Sequence, residues 1–530
     1  MQVAESTTAK RGSGAQRAPQ SVVSASSAHE YEPRTADATV LHRVLSGHLR
    51  AFLDSMAERG DGVPWFVERE LTRFLDCGML DKGFPRLRCD ECQFERLLPF
   101  SCKGRGFCPS CGGRRMVERS AHLVDAVLPP VRVRQWVLSL PHALRYLFAF
   151  NHELCRGALA VFTRAIMSFQ RRRARRAGIV DGQTGTATVI QRFAAGLRLN
   201  IHFHTLLFDG VFFETNDGAT RFFELPPPSN DEIAKLVATV RERIFRLLRR
   251  RRVLDADGST DGDVEVPSSP GLAVLASAAV RGVQALGRSA GALIRRIGSD
   301  PRAPWISSRA DLHAHVEGFD LHAAVSIAAA DRDGRERLSR YLLRPAVAQD
   351  RLELLDDGNV RLELRSEWSD GTTHLEFEPS ELIGRLASLV PKPRTNLLIY
   401  HGVLAPHATW RARVIAHGLP LEPGSVHVDH SAAPEPATPG APELGAPEPD
   451  QRGRNHSWPE RMRRAFGVDV LACPTCGGRV RFLALILSPP AIRAILDHLG
   501  ISCRQLKSAP RGRAPPDSDA SSFIDAESDY

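Results

Sequence analysis

Apolar residues recur at helical spacing at Leu41, Val44, Leu45, Leu49, Phe52 and Leu53, directly after a Ser-, Ala-, Thr- and Gln-rich stretch without periodicity. Residues 1–36 therefore read as a disordered arm, and order begins with a helix. The same pattern predicts helices from Phe66 to Leu75 and from Met116 to Val127, the latter ended by Pro129-Pro130. A strand from Val131 to Leu140 and a helical region over 141–178 follow. Thr186–Arg192 and Arg198–Phe208 alternate or run apolar, as paired strands do. Next come a basic amphipathic helix at 229–253, an acidic loop at 255–270 and an Ala-rich helix at 271–295. Leu321–Ile327 reads as a strand, and Gly334–Leu343 as a helix stopped before Pro345. Val360–Leu364 and Thr372–Phe377 read as strands, with Asp356–Asn359 as a turn before them; a helix (Glu381–Leu389) and a strand (Asn396–Tyr400) close the run. Pro, Ala, Gly and Glu dominate 421–456, a linker without the means to build a core. The expected organisation is a disordered arm (1–36), a helical and cysteine-bearing domain (37–128), a larger α+β domain (129–420), the linker, a small module (457–502) and a disordered tail (503–530).

Within this pattern, Asn200–Asp209 places two imidazoles one residue apart on an otherwise apolar strand. Residues i and i+2 of a strand share a face, so His202 and His204 point the same way while Ile201 and Phe203 face the core. Two neutral imidazoles aimed at one point can hold a divalent metal. A pair of histidines on an ordinary half-buried strand would give the same pattern, so the rest of the chain must decide.

Composition narrows the class. The chain has 530 residues, 43% of them hydrophobic, enough for several cores, and a net charge of +9. Its basic residues cluster at Arg171–Arg176, Arg249–Arg252 and Arg461–Arg464, which favours a polyanion such as nucleic acid over a merely solvated face. No apolar run approaches the length of about 18 residues needed to cross a membrane, and the polar start lacks a signal-peptide core, so a cytoplasmic protein is expected. Ten cysteines, six of them in CxxC pairs, read as thiolate ligands rather than disulfides.

Cys89-x2-Cys92 and Cys108-x2-Cys111 have the spacing of a four-cysteine zinc site, each pair forming a knuckle that presents two thiolates. Cys102 could replace one ligand, while Cys77 reads as buried. Lys103 and Arg105 lie in the intervening loop beside Phe107, an arrangement suited to a nucleic-acid backbone. Cys473 and Cys476 form a further knuckle with no second pair after it, so a second zinc there stays open, with His498 and Cys503 downstream.

If His202 and His204 serve phosphodiester chemistry, a nucleophile should stand on a rigid element nearby. Of five tyrosines, Tyr31 and Tyr530 fall in the arm and at the terminus, and Tyr146 reads as core. On the helix ending before Pro345, Arg337, Tyr341 and Arg344 share one face, a phenol between two guanidiniums. A phenol with a pKa of about 10 is a weak nucleophile at neutral pH, and adjacent cations and a metal-polarised phosphate would help it. Tyr400, at a strand end before His401-Gly402, is the rival.

The four-cysteine module with Ser101–Cys111, the His202-Phe203-His204 strand, Arg340–Pro345 and Tyr400–Pro406, in that order, resembles the rolling-circle transposases of the insertion sequence ninety-one and ISCR group. The resemblance spans about residues 40–500. It implies an HUH (His-hydrophobe-His) endonuclease-like antiparallel sheet with helices, in which the two histidines hold Mg2+ or Mn2+ and Tyr341 cleaves single-stranded DNA at element ends. The implied products are a 5'-phosphotyrosine link and a free 3'-hydroxyl, with Zn2+ as a structural ion and Lys103, Arg105, Arg337 and Arg344 meeting DNA. Many members carry two tyrosines four residues apart; the first of those positions is Arg337 here, so the chain looks like a single-tyrosine branch. The third metal ligand expected by this reading is His322, with Gln191 close behind, while a second HxH at His313 and His315 sits in a less apolar context. A zinc-dependent DNA-binding regulator without chemistry and a water-using hydrolase are the competing readings.

Overall fold

A computed structural model describes residues 35–60, 62–254, 269–300, 302, 311–418, 459–460, 463 and 469–501. The arm as far as Arg34, the 421–456 linker, the 503–530 tail and the acidic loop as far as residue 268 lie outside them. Cys503 and most of the Arg461–Arg464 cluster lie outside as well.

The chain opens with helices α1 (Val40–Glu58) and α2 (Trp65–Leu75), a short hairpin of β1 (Phe84–Cys89) and β2 (Glu95–Leu97), and helix α3 (Pro109–Ala126). Strand β3 (Val133–Ser139) and helices α4 (Arg145–Phe150) and α5 (His152–Arg176) lead to the long hairpin of β4 (Gly185–Ala194) and β5 (Arg198–Phe208). A small hairpin, β6 (Gly210–Glu214) and β7 (Thr220–Glu224), precedes α6 (Asn230–Arg250) and α7 (Pro270–Arg281). Then follow β8 (Arg295–Ile297), β9 (His313–Val316), β10 (Phe319–His322), β11 (Ser326–Ile327) and α8 (Arg332–Leu343). Strands β12 (Leu352–Leu354), β13 (Val360–Glu363) and β14 (His374–Phe377), helix α9 (Pro379–Leu389), β15 (Leu398–Gly402) and α10 (Arg411–Ile415) complete the body. Near the end of the chain stand β16 (Val480–Ile486) and a helix, Pro489–His498.

The central sheet has seven strands in the order β15-β4-β5-β3-β10-β9, with β11 also on β3, and its pairings are antiparallel. This is a mixed arrangement of helices and antiparallel sheet, as the alternation of patterns predicts. Local chemistry sets its boundaries. Ser229 and Glu232 form a capping box at the start of α6. Helix α7 is shorter than its Ala-rich composition suggests, because Gly282 takes φ 74° and ends it. The strand expected from Leu321 to Ile327 is split into β10 and β11. Between them the Ala323 N–H donates to the Leu312 carbonyl at 2.8 Å and its carbonyl accepts from Arg134, so this residue leaves the ladder.

Each face of the sheet is covered differently. Trp136, Leu138, Ile201 and Phe203 face rearward and meet α5, where Phe162 stacks on Phe203 and Phe169 meets Trp136 edge-on. Each such side chain contributes about 1.5–3 kcal/mol by burial. The front face, with Val189, Leu206 and Phe208, is covered by α3 and α8 through Leu123, Val127, Leu338 and Leu342. The expected cysteine-bearing and larger domains share one core: Leu41, Phe52 and Leu71 belong to the same cluster as Phe162 and Phe203.

Candidate active site and metal centres

His202 and His204 stand on the front face of β5, the third strand in from the β15 edge. Both are buried, and their rings lie 4.8 Å apart. Burial, aided by the nearby Arg344 charge, pushes His202 down to about 4, and burial drives His204 well below the ordinary imidazole range. Both imidazoles are therefore neutral at pH 7, the form a metal requires. Nδ1 of His202 donates to the Asn200 carbonyl at 3.1 Å, leaving Nε2 with its lone pair. Nδ1 of His204 lies 2.7 Å from the Gln135 amide on β3, and its Nε2 is buried without a hydrogen-bond partner among the described residues.

Helix α8 brings Tyr341 to this point. The phenol ring meets His204 edge-on at 5.9 Å, is 38% exposed, and is flanked by Arg344 at 4.3 Å and Arg365 at 5.2 Å. Nη1 of Arg344 is buried without a hydrogen-bond partner among the described residues, an unmet donor beside the phenol. Tyr400 lies on β15, two strands from β5, against Ala187 in the register. It packs into the front cluster, and burial pushes its phenol up to about 12.

The two candidates for a further ligand part company. Gln191 pairs directly with His202 across β4 and β5, so their side chains share a face as neighbours. Its amide nitrogen donates to the Leu342 carbonyl at 3.3 Å, and its Oε1 is buried without a partner among the described residues. His322 shares the face but pairs with Val137, which itself pairs with His204. Two strand spacings, about 9–10 Å, therefore separate their backbones. His322 faces His313 instead, and His313 bonds Asp320 at 2.9 Å, as part of a separate group at the sheet edge with His315. The second HxH thus stands apart from the first.

A cavity of about 100 Å3 opens beside Gln191, lined among others by Arg105, Arg115, Arg119, Phe193 and Arg344. The cysteine loop forms one wall and the end of α8 the other. Arg105 donates to the Thr395 carbonyl, so it fastens the loop to the sheet side, while Lys103 is exposed. Arg337 points to solvent and lies 3.9 Å from Asp331. The Arg171–Arg176 and Arg249–Arg252 runs end α5 and α6, helices of the rear layer, away from the histidine face.

The cysteines converge differently from their spacing. Cys108 and Cys111 gather with Cys77 and Cys102; Cys89 and Cys92 gather with Cys473 and Cys476. The first group shows sulfur separations of 3.5, 3.7 and 3.9 Å. A tetrahedral zinc with bonds of about 2.3 Å places its sulfurs about 3.8 Å apart, so the group fits that ion. The single site expected from Cys89, Cys92, Cys108 and Cys111 is not formed. The reason is topological: the β1–β2 hairpin carries Cys89 and Cys92 away, while α3 starts at Cys108 beside the end of α2, where Cys77 waits. Nothing in the spacing of Cys77 marks it as a ligand.

Comparison with known families adds the context. A family model described as "Putative transposase" matches residues 185–412, and one described as "Transposase zinc-binding domain", of the IS91 type, matches residues 48–140. No curated protein and no solved structure matches the chain. The first match holds His202, His204, Tyr341 and Gln191, and the second holds the first cysteine group entire. With a transposase model over 185–412, a transposase zinc-binding model over 48–140, and a four-cysteine group within the latter that suits structural zinc, the chain belongs to the IS91 family of transposases.

Proposed function

We propose that this transposase cleaves single-stranded DNA at element ends with Tyr341 as nucleophile, in the manner of the HUH nucleases, and rejoins it by the reverse reaction. The observation that carries this reading is the edge-on contact of Tyr341 with His204 at 5.9 Å. Three unmet polar atoms support it: Nε2 of His204, Oε1 of Gln191 and Nη1 of Arg344. A buried polar atom without a partner costs about 1–3 kcal/mol, so three in one neighbourhood speak for a ligand that satisfies them.

His202, His204 and Gln191 would hold a divalent Mg2+ or Mn2+, which supplies Lewis-acid polarisation of a phosphate oxygen when bound. Gln191 replaces His322 as the favoured third ligand. Its oxygen suits these hard ions. Gln135 holds the His204 ring through its amide at Nδ1; metal binding through Nε2 requires that amide to turn so that its oxygen accepts the Nδ1 proton. Arg344 meets the negative charge of the phosphate. The phenol releases its proton to solvent as its oxygen attacks phosphorus, the bond from phosphorus to the 3'-oxygen breaks, and the departing oxygen takes up a proton as a free 3'-hydroxyl. The 5'-phosphate remains on Tyr341. Lys103, Arg105 and Arg337 are then secondary: the loop and its cavity pass the strand, and Arg105 also fixes that loop.

The test is a covalent adduct. Protein incubated with single-stranded DNA of the element ends and Mn2+ should give a shifted band on a denaturing gel, lost in Tyr341→Phe and kept in Tyr400→Phe. An adduct that survives Tyr341→Phe and disappears in Tyr400→Phe reverses the assignment. Cutting without any adduct would point to a water-using hydrolase, and absence of both to a DNA-binding regulator.

A further inference from the structure

We propose that Cys89, Cys92, Cys473 and Cys476 form a second zinc site, which acts as an intrachain clasp holding the C-terminal segment to the amino-terminal zinc unit. The matched zinc-binding region ends at residue 140 and so contains only half of these ligands. Cys476 lies 3.5 Å from Cys89 and Cys473 lies 3.4 Å from Cys92, across 387 and 381 residues of sequence. All four sulfurs fall within 4.8 Å of one another, close to the tetrahedral spacing of about 3.8 Å.

Both halves are built alike. The Gln93 N–H bonds the Cys89 carbonyl at 3.1 Å, and the Gly477 N–H bonds the Cys473 carbonyl at 2.9 Å. The residue after each second cysteine is left-handed, Gln93 at φ 64° and Gly477 at φ 73°. Each knuckle thus turns its two sulfurs to one side. A non-glycine residue pays a conformational cost for that geometry, which Gln93 bears.

Next to this, the apolar contact between the segments is small. One cluster has Leu87, Cys89, Cys473 and Val480 as its buried members, the other Phe84, Ile492 and Leu496. Strand β16 joins the free edge of β1, and Arg96 donates to the Val470 carbonyl at 2.8 Å. Cores of this size rarely hold a fold without a metal or cross-link, and a structural zinc here would supply one. The ligands of the two sites also alternate along the chain: Cys77, then Cys89 and Cys92, then Cys102, Cys108 and Cys111, then Cys473 and Cys476. The β1–β2 hairpin thereby lies between two metals, one facing α3 and the catalytic helix, the other gripping the C-terminal segment.

The experiment combines metal content with fragment retention in the full chain. Purified under reducing conditions, the protein should carry two zinc ions, and Cys473→Ser one. Cys473 is the better target because Glu91 lies 3.5 Å from Cys476 and could replace its sulfur. With a protease site inserted after Gly440, the cleaved C-terminal piece should co-elute with the body, leave it when 1,10-phenanthroline is added, and leave it unaided in Cys473→Ser. A single zinc in the wild-type chain, equal retention in Cys473→Ser, or a mass showing hydrogens lost to disulfides between these cysteines would each overturn the clasp.

Discussion

The Gln135 amide nitrogen lies 2.7 Å from Nδ1 of His204, across the β3–β5 ladder, and no other hydrogen bond holds that ring among the described residues. The contact fixes the ring's rotation, and with the amide oxygen turned to Nδ1 it would keep the proton there and leave Nε2 free for a metal. Partners of this kind are typically worth about 10–100-fold in metal affinity. Gln135→Ala should weaken Mn2+ binding by about that factor without unfolding the protein. Titration calorimetry with Mn2+ reads the affinity directly. Unchanged binding would mean that the ring is held by packing alone.

Gly112 and Gly113 are adjacent in α3 and should respond oppositely to alanine. A Cβ on Gly112 would stand 2.7 Å from Pro345, just after α8, while one on Gly113 would meet nothing within 4 Å. Helix propensity favours Ala over Gly by about 1 kcal/mol, and overpacking costs about 1–3 kcal/mol. Gly113→Ala should therefore stabilise by up to about 1 kcal/mol. At Gly112 the clash outweighs propensity, and the variant should lose stability and adduct formation together, because α3 and α8 must part. Thermal melts of the pair provide the comparison; equal shifts would show that the contact relaxes freely.

How much of this was legible in the sequence depends on range. The two-residue period placed His202 and His204 on one face, and Pro345 marked where the Tyr341 helix stops. Both are local rules. The cysteine sites are not: CxxC spacing identifies ligands but says nothing about which knuckles meet, and closure across some 380 residues defeated it. Cys77 looked like an ordinary buried thiol because a lone cysteine carries no spacing signal. Gln135 and the choice of Gln191 over His322 depend on strand register, which the order β4-β5-β3-β10 sets and no single strand reveals.

Cys77 is a direct test of the first metal site. Cys77→Ser should remove one zinc and much of the stability of the α2–α3 junction. Cys155→Ser makes a fitting control, since Cys155 is buried on α5 outside both groups. Its thiol is pushed up to about 12 by burial, so it offers no thiolate. Metal release measured with a chromogenic chelator distinguishes the variants, and equal zinc in both would remove Cys77 from the site.

The rear arginines should govern binding and not chemistry. Arg171–Arg176 lie at the end of α5 and Arg249–Arg252 at the end of α6, and the Arg251–Glu153 pair at 3.5 Å places the second run at the start of α5. The runs are therefore about 30 Å apart, one helix length. Replacing Arg249 and Arg250 by Gln should lower DNA affinity and reduce the salt slope by about 1 for each phosphate that is no longer neutralised. The adduct rate at saturating DNA should not change. A fall in that rate would bring these residues into the reaction.

Glu381 and Arg385 form a pair on α9, 2.7 Å apart and 2% and 1% exposed. Burial raises the Glu381 carboxyl and lowers the Arg385 guanidinium despite their mutual attraction, so desolvation outweighs the Coulomb gain. The pair nevertheless has neighbours to satisfy. Arg385 donates to the Ala279 carbonyl at 3.3 Å and to that of Val283, and Glu381 accepts the Ala285 N–H at 2.7 Å, tying α9 to the end of α7. Removing one partner leaves a buried charge alone, so Glu381→Leu and Arg385→Met should each cost about 3–5 kcal/mol. The double variant removes both charges and should lose less than the sum of the two single changes, because neither charge is left alone and only the backbone groups they held are orphaned. Denaturant titration of the three variants closes the cycle, and additive losses would show that the pair is not coupled.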